Sequence, residues 1–244
     1  MAPDAPIILI PARLGSTRLP GKALADIGGR PMVVHVWARA VAAGIGPVAV
    51  ATDAADIAEA VRAAGGVAVM TAGAHACGSD RIGEALAALD PQGRHDAVVN
   101  LQGDNPFLPE GALAAALGLL RDPDVDIGTL STRASEEEAE DANAVKLVGT
   151  GIAERRLRAL YFTRARAPSG EGPLHKHIGV YAFRRAALVR FNALPPSPLE
   201  LRERLEQLRA LEAGMRIDAA MLDKGSPSVD TERDLAALRA ARKA

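Results

Sequence analysis

The sequence predicts an α/β fold with a central, mostly parallel sheet and a mixed-sheet extension, and three observations carry that expectation. Short apolar runs alternate with longer helix-like runs through the first half of the chain, the order in which a parallel sheet is covered on both faces. Breaks rich in glycine and proline separate those runs, as turns and helix ends require. Apolar residues are 48% of the 244 positions, enough to bury a core and inconsistent with disorder.

Taken in order, Ile7–Ile10 reads as a first buried strand. A Gly/Pro/Arg loop from Pro11 to Lys22 follows, then a helix over about Pro31–Ala43. Pro47–Thr52 is a second strand, and Asp53–Ala64 a helix that Gly65-Gly66 closes. Val67–Met70 is a short third strand. Ser79–Leu89 reads as a helix capped by Ser79, and Asp96–Leu101 as a fourth strand that breaks at Gln102-Gly103-Asp104-Asn105-Pro106. Such a doubly wound series binds ligands beyond the carboxyl ends of its strands. The second half reads differently, with strands over Asp126–Thr132, Val145–Val148, Arg156–Phe162 and Ile178–Phe183 and longer polar connections. A helix over about Pro198–Ala213, a strand from Met215 to Met221 and a helix over about Thr231–Ala241 complete the chain. Glu136-Glu137-Glu138 is the one charge run, read as a solvated helix face without function.

Composition excludes several function classes. A formal net charge of -1 suits neither a general nucleic-acid binder nor a membrane-surface protein. Aromatics at 3% disfavour a base-stacking platform. Cys77 is the single cysteine, which rules out an internal disulfide and any multi-cysteine metal site and fits a reducing cytoplasm. Met1–Ile10 lacks the basic start of a signal peptide, and the apolar stretches fall short of the roughly 20 residues that span a bilayer.

Chemistry concentrates in three segments. Ile10 to Lys22 leaves a buried strand and places Arg13, Arg18 and Lys22, the hydroxyls of Ser16 and Thr17, and Gly15 and Gly21 in one loop. Glycines let backbone N–H groups approach an anion, arginine forks onto two oxygens, and lysine adds a point charge. That set suits a triphosphate. The loop is not a Walker A motif, since Ala23 stands where Ser or Thr should hold magnesium, and it lacks the G-x-G-x-x-G dinucleotide spacing. Asn100 to Pro106 puts Asp104 at the mouth of the sheet, where a carboxylate either ends a turn or holds a magnesium bound to phosphates. Ser228 to Leu235 puts Asp230 before a helix, where it is either an N-cap, with Thr231 a rival for that role, or a second magnesium ligand.

These strings, with Gly78-Ser79-Asp80-Arg81, His177 to Tyr181, and Pro195 to Arg209, resemble the CMP-KDO synthetases (3-deoxy-manno-octulosonate cytidylyltransferases) from about Ile7 to Leu238. The related sialic acid synthetases share the first loop but not the His177 and Glu206-Gln207 strings. The resemblance implies a Rossmann-like nucleotidyltransferase fold, a single domain over 1–244. Its nucleotide-binding part covers about 1–125, and a sugar-binding and dimerisation elaboration covers about 126–215. It implies a cytoplasmic homodimer that joins CMP from CTP to KDO, an activation step for lipopolysaccharide. Ala12, Arg13, Ser16, Arg18 and Lys22 would hold CTP, with Ser79 to Arg81 seating the cytidine. Asp104 and Asp230 would bind Mg²⁺, and Arg13 and Lys22 would act with them in catalysis. Gln102, Arg164, His177, Tyr181, Glu206 and Gln207 would line the sugar pocket. Asn105 stands where many members carry glutamate, and Ser228 where glycine is common.

His177 is expected to donate a hydrogen bond to an oxygen of the acidic sugar, and Glu206-Gln207 to meet its hydroxyls from a helix whose buried face is marked by Leu201, Leu205, Leu208 and Leu211. Cys77 reads as a small buried residue with no base beside it. An amino analogue of KDO or a sialic acid is the alternative acceptor, a nucleotide-binding protein without catalysis the alternative class, and a dehydrogenase a distant third.

Overall fold

The computed structural model describes residues 3–15, 19–73, 75, 77–225, 229 and 231–241. In chain order its elements are β1 (Pro6–Ala12), α1 (Met32–Ala42), β2 (Val48–Thr52), α2 (Ala55–Ala63), β3 (Val67–Met70), α3 (Gly78–Leu89) and β4 (Ala97–Leu101). Then come α4 (Ala112–Gly118), β5 (Ile127–Arg133), α5 (Glu136–Glu140), β6 (Lys146–Ala153), β7 (Arg156–Thr163) and β8 (His175–Arg184). The chain closes with α6 (Arg185–Ala193), α7 (Pro198–Glu203), α8 (Gln207–Glu212), β9 (Ile217–Met221) and α9 (Glu232–Ala241). None of the described helices is long and apolar enough to cross a membrane. The chain divides into two compact units, one of residues 5–110 with 226–244, the other of 1–4 with 111–225.

In the first unit the strands lie in the order β3-β2-β1-β4, all parallel. Ile8, Leu9 and Ile10 of β1 are fully buried, as a strand flanked on both sides and covered on both faces must be. Register sets Ile8 opposite Val48 on one side and Val99 on the other, so β1 runs slightly past the end of β4 and their following loops share one rim. The loop after β1 is tied down at its far side. Leu19, Ile27 and Met32 form a buried cluster with Val229, Leu235 and Leu238, so α9 packs against the segment leading into α1. Gly46 has no substitute here, because a Cβ would stand 2.3 Å from the carbonyl oxygen of Pro6.

In the second unit the order is β8-β5-β9-β7-β6, with β5–β9 parallel and the other pairings antiparallel. One further pair, Lys146 opposite Lys176, brings β6 back to β8. Gly128 lets α4 press onto β5, since a Cβ there would lie 2.3 Å from the Ala116 oxygen. Asp218 of β9 is fully buried and gathers Arg156 and Arg216, which also reach Asp122. The acidic run forms α5, capped by Ser135 and Glu138, and its carboxylates meet Arg166 and Lys176.

Several expectations need correction. The helix over Pro198–Ala213 is two helices, broken where Arg204 takes a left-handed conformation (φ 57, ψ 47). Leu201 therefore does not mark a buried face: it is 67% exposed, while Leu205 and Leu208 are buried. Helix α3 starts at Gly78 with Cys77 at its N-cap. Ser79 is instead buried in the first turn, its hydroxyl accepting from Asn100 Nδ2 at 3.3 Å. Helices α4 and α6 fall in stretches the sequence left unassigned.

Candidate functional site

The rim of the first unit holds a cavity of about 270 Å³, near the lower end for a small-molecule site. Its wall begins with Pro11, Ala12 and Arg13 where β1 ends, and continues with Gln102, Gly103 and Asp104 where β4 ends. Lys22, Cys77, Gly78 and Arg81 complete the polar lining. Close approach is built in. A Cβ on Gly78 would meet Pro11 and Gln102 at 3.1–3.2 Å, and one on Gly103 the Pro11 oxygen at 3.2 Å. Gly21 takes φ 69, the left-handed region open to glycine, just before Lys22. Ser16, Arg18 and Asp230 lie outside the described residues.

Lys22 and Asp104 meet across this rim, Nζ donating to Oδ2 at 3.1 Å, with side chains 16% and 28% exposed. The other Asp104 oxygen accepts from Asn105 Nδ2 at 2.9 Å. Val229 donates its backbone N–H to the Asp104 carbonyl at 3.0 Å, so the chain reaches Asp104 one residue before Asp230. Helix α9 is capped reciprocally by Thr231 and Asp234, which fills the role that competed with metal binding for Asp230. Arg13 is exposed, and among the described residues no carboxylate pairs with it. Arg81 is buried and its donors are committed: Nη1 to the Thr71 hydroxyl at 2.6 Å, Nη2 to Asp53 at 2.9 Å. Its geometry holds Thr71 and Ala72 in place. Glu84 works on the same segment, accepting from the Ala72 N–H and pairing with His75, whose hydrogen bond holds the Glu84 carboxyl below its usual range. Cys77 is half-buried on the cavity wall with His75 nearby on it, rather than sequestered in the core.

Among the described residues no group of three or more His, Cys, Asp or Glu side chains converges on a metal position. Mg²⁺ keeps several waters and binds through one or two carboxylates and substrate phosphates. A single partly exposed carboxylate in a cavity also lined by Arg13 and Lys22 fits that habit.

The second unit carries a polar face on β5 and β8. Thr129 spends its hydroxyl proton on the Val180 carbonyl at 2.7 Å, so its oxygen accepts from His177 Nε2 at 2.9 Å. His177 is buried, with Phe162 edge-on at 5.0 Å and Tyr181 at 5.4 Å between ring centres. Burial depresses its pKa from 6.5 to about 3, so the ring is neutral and its proton sits on Nε2. The ring therefore has no second N–H to donate, contrary to the expected donation, because the remaining nitrogen, Nδ1, can only accept. Ser131 Oγ, opposite His177, and Gln207 Nε2, at the start of α8, are buried without hydrogen-bond partners among the described residues. Each such orphan costs about 1–3 kcal/mol. Glu206 precedes Gln207 and is half-buried.

Arg164, just past β7, is held by neutral oxygens: Nε donates to the Glu203 carbonyl at 2.9 Å and Nη1 to the Ala142 carbonyl at 3.0 Å. Among the described residues its Nη2 has no partner, and no carboxylate meets the guanidinium. Three residues here escaped the sequence reading. Thr129 had a signal, polar residues at alternate positions of an otherwise apolar strand. Glu203 and Lys146 had none. Lys146 is fully buried, its ammonium donating to the Asp141 carbonyl at 2.7 Å, and burial lowers its pKa.

Residues 7–217 match the cytidylyltransferase family. The 3-deoxy-manno-octulosonate cytidylyltransferase of Methylobacterium radiotolerans is 61% identical over 236 residues, 96% of each chain. That of Azorhizobium caulinodans is 63% identical over 235 residues, 96% of this chain and 94% of its own. A solved structure of CMP:2-keto-3-deoxy-manno-octonic acid synthetase complexed with CTP superposes with a TM-score of 0.89 at 39% identity, over 98% of this chain and 99% of the other. A UDP-glucose pyrophosphorylase superposes at 0.70 with 14% identity over 98% and 99%, a likeness of fold alone.

Proposed function

The chain belongs to the cytidylyltransferase family, with 3-deoxy-manno-octulosonate cytidylyltransferases among its relatives, and on that premise we propose that it transfers CMP from CTP to KDO, releasing pyrophosphate and readying the sugar for lipopolysaccharide synthesis. One observation carries the reading: Lys22 and Asp104 face each other at 3.1 Å across the cavity at the ends of β1 and β4. A phosphate can take the cation and leave the carboxylate to a metal.

In the mechanism, Arg13 and Lys22 bind the triphosphate, Lys22 turning from Asp104 to a phosphate oxygen. Gly15, Gly21 and Gly103 let the chain approach the nucleotide without side-chain interference. Arg164 offers its open guanidinium edge to the sugar carboxylate, and His177 orients a sugar hydroxyl by accepting its proton at Nδ1. The C2 hydroxyl oxygen bonds to the α-phosphorus, the bond to pyrophosphate breaks, and the hydroxyl proton passes to solvent. Asp104, with Asp230, would hold Mg²⁺, which when bound lowers the pKa of a hydroxyl and offsets phosphate charge. The chain's own contribution is positioning and charge stabilisation, the usual source of rate in phosphoryl transfer.

The same reading carries a cytoplasmic homodimer. The lone Cys77 suits a reducing compartment, and Ile152, Leu160 and Leu201 leave apolar surface exposed for a second copy. Light scattering at micromolar concentration reads the oligomer. The reaction is tested by mixing the chain with CTP, Mg²⁺ and KDO and following pyrophosphate. Release that requires all three and fails in Asp104→Ala supports it. Release only with an amino analogue or a sialic acid moves the acceptor, and CTP binding without release from any acidic sugar overturns the enzyme.

A further inference from the structure

Glu203 ends α7 and makes four hydrogen bonds to one short stretch of chain. Its Oε1 accepts from the Thr163 hydroxyl at 2.9 Å and from the Tyr161 hydroxyl at 3.4 Å. Its Oε2 accepts from the Arg164 backbone N–H at 3.0 Å, and its carbonyl from Arg164 Nε at 2.9 Å. The carbonyl is one that a helix end leaves without an intrahelical donor, so Arg164 completes α7 while α7 orients Arg164. With the second bond to Ala142 fixing Nη1, the guanidinium plane is set from two sides, and among the described residues Nη2 makes no hydrogen bond.

The other direction matters as much. Immediately after Glu203 the chain turns through the left-handed Arg204 (φ 57), and Leu205 N–H returns to the Glu200 carbonyl at 3.3 Å. Glu206 and Gln207 follow at once. A non-glycine residue in that conformation costs about 1 kcal/mol or more and persists only where its surroundings hold it. Glu200, clamped by Arg209 through both carboxylate oxygens at 2.6 and 2.8 Å, anchors one side of the turn. Glu203 anchors the other.

We propose that Glu203 is a positioning residue for the acceptor sugar, joining Arg164 on the β7 end to the Glu206-Gln207 turn so that both present their polar groups in one fixed arrangement. This rests on the proposed sugar contacts of Arg164, Glu206 and Gln207. Glu203 itself touches no reacting atom. Its charge is not the operative feature: what fixes Arg164 is an acceptor oxygen at its backbone N–H and the Glu203 carbonyl at its Nε, and a glutamine keeps both, its amide oxygen taking the Arg164 N–H at the expense of the Thr163 and Tyr161 hydroxyl bonds.

The test compares Glu203→Ala and Glu203→Gln with the unmodified chain, measuring kcat and the KM of each substrate, and amide exchange across 163–165. Displacement of a positioned group by about 1 Å can cost 10²-fold, so Glu203→Ala is expected to raise the KM of KDO by about 10- to 100-fold with the KM of CTP unchanged. Glu203→Gln restores sugar affinity to within about threefold, as retained acceptor geometry requires. Exchange at Arg164 quickens in the alanine variant alone. An unchanged KDO KM in Glu203→Ala, or a Glu203→Gln variant as impaired as the alanine, overturns the proposal. So does an equal rise in both KM values, the mark of general loosening. If the unmodified chain releases no pyrophosphate with KDO, the substrate reading fails, and amide exchange alone then decides whether Glu203 fixes Arg164.

Discussion

On the proposed function, Lys22 and Arg164 are both cations offered to an anionic ligand, yet the two units hold them in opposite ways. Lys22 waits on the Asp104 carboxylate, whereas Arg164 waits on two backbone carbonyls. The ligands proposed for the two sites account for the contrast. A partly exposed ion pair is worth about 0–1 kcal/mol, which a triphosphate carrying several charges readily replaces, and releasing the carboxylate is itself useful there. A sugar acid brings one charge. Had Arg164 been neutralised by a carboxylate, the sugar would need to displace an equal charge to bind and would gain little. Neutral carbonyls fix the guanidinium without spending its charge.

The largest expected effect falls on the Lys22–Asp104 side of the comparison. Asp104→Ala should lower kcat by about 10² to 10³, the loss typical of one preorganised electrostatic group, with the KM of KDO little changed. Steady-state rates with both substrates varied would show it. A rise confined to the KM of KDO, with kcat kept, would place Asp104 with the sugar instead and erase the contrast. Next in size is Arg164→Lys. Lysine keeps the charge but not the planar fork, so it cannot satisfy the Glu203 and Ala142 carbonyls and face a carboxylate together. Losing a hydrogen bond to a charged group costs about 1.5–3 kcal/mol, a rise of about 10- to 100-fold in the KM of KDO. An unaltered KM would show that charge alone suffices.

Acid stability sharpens the second unit further. His177 titrates at about 3 when folded and near 6.5 when not, because burial penalises the imidazolium. Between those values the unfolded chain binds a proton that the folded chain refuses. The stability this group contributes is therefore complete above about pH 6.5 and lost as pH falls toward 3. His177→Gln, which can still donate to Thr129, should flatten the decline by up to about 1.4 kcal/mol per pH unit, read from urea unfolding at pH 5 and 7. Across pH 6–8 the ring stays neutral, so neither kcat nor the KM of KDO should carry a limb from His177.

The two units also differ in how much of them the sequence displays. In the first, function follows the loop after β1 and the break after β4, where Arg13, Lys22 and Asp104 stand in short, unusual strings. Strand and helix periods are regular there, so β1 through β4 fall close to where hydrophobic alternation puts them. In the second, the informative contacts join residues about 40 positions apart, as Glu203 joins Thr163 and Arg164, and no local pattern encodes them. Arginine is a good helix former, so nothing in the string Glu203-Arg204-Leu205 announces that the helix breaks at Arg204. The tautomer of His177 was likewise hidden, because it depends on where Thr129 sends its own proton. Helix α6, with Arg185, Arg190 and Asn192 among its nine residues, has too weak an apolar stripe to stand out.

The smallest expected effect isolates structure from chemistry within the first unit. Cys77 lies on the cavity wall and at the N-cap of α3, with extended backbone (φ -139, ψ 172) and no side-chain hydrogen bond to the helix. That backbone is what an N-cap needs, and serine is among the best residues for it because its oxygen accepts from the N–H groups of the first turn. Cys77→Ser should therefore raise stability by about 0.5–1 kcal/mol, less if the half-buried hydroxyl finds poorer packing than the thiol. If the wall at Cys77 is only scaffold, kcat and both KM values should stay within about twofold, as for a substitution that leaves transition-state contacts intact. A tenfold change in the KM of CTP with no gain in unfolding free energy would give the thiol a contact with the nucleotide. Lys22 and Asp104 would then share the recognition of CTP with the N-terminal turn of α3.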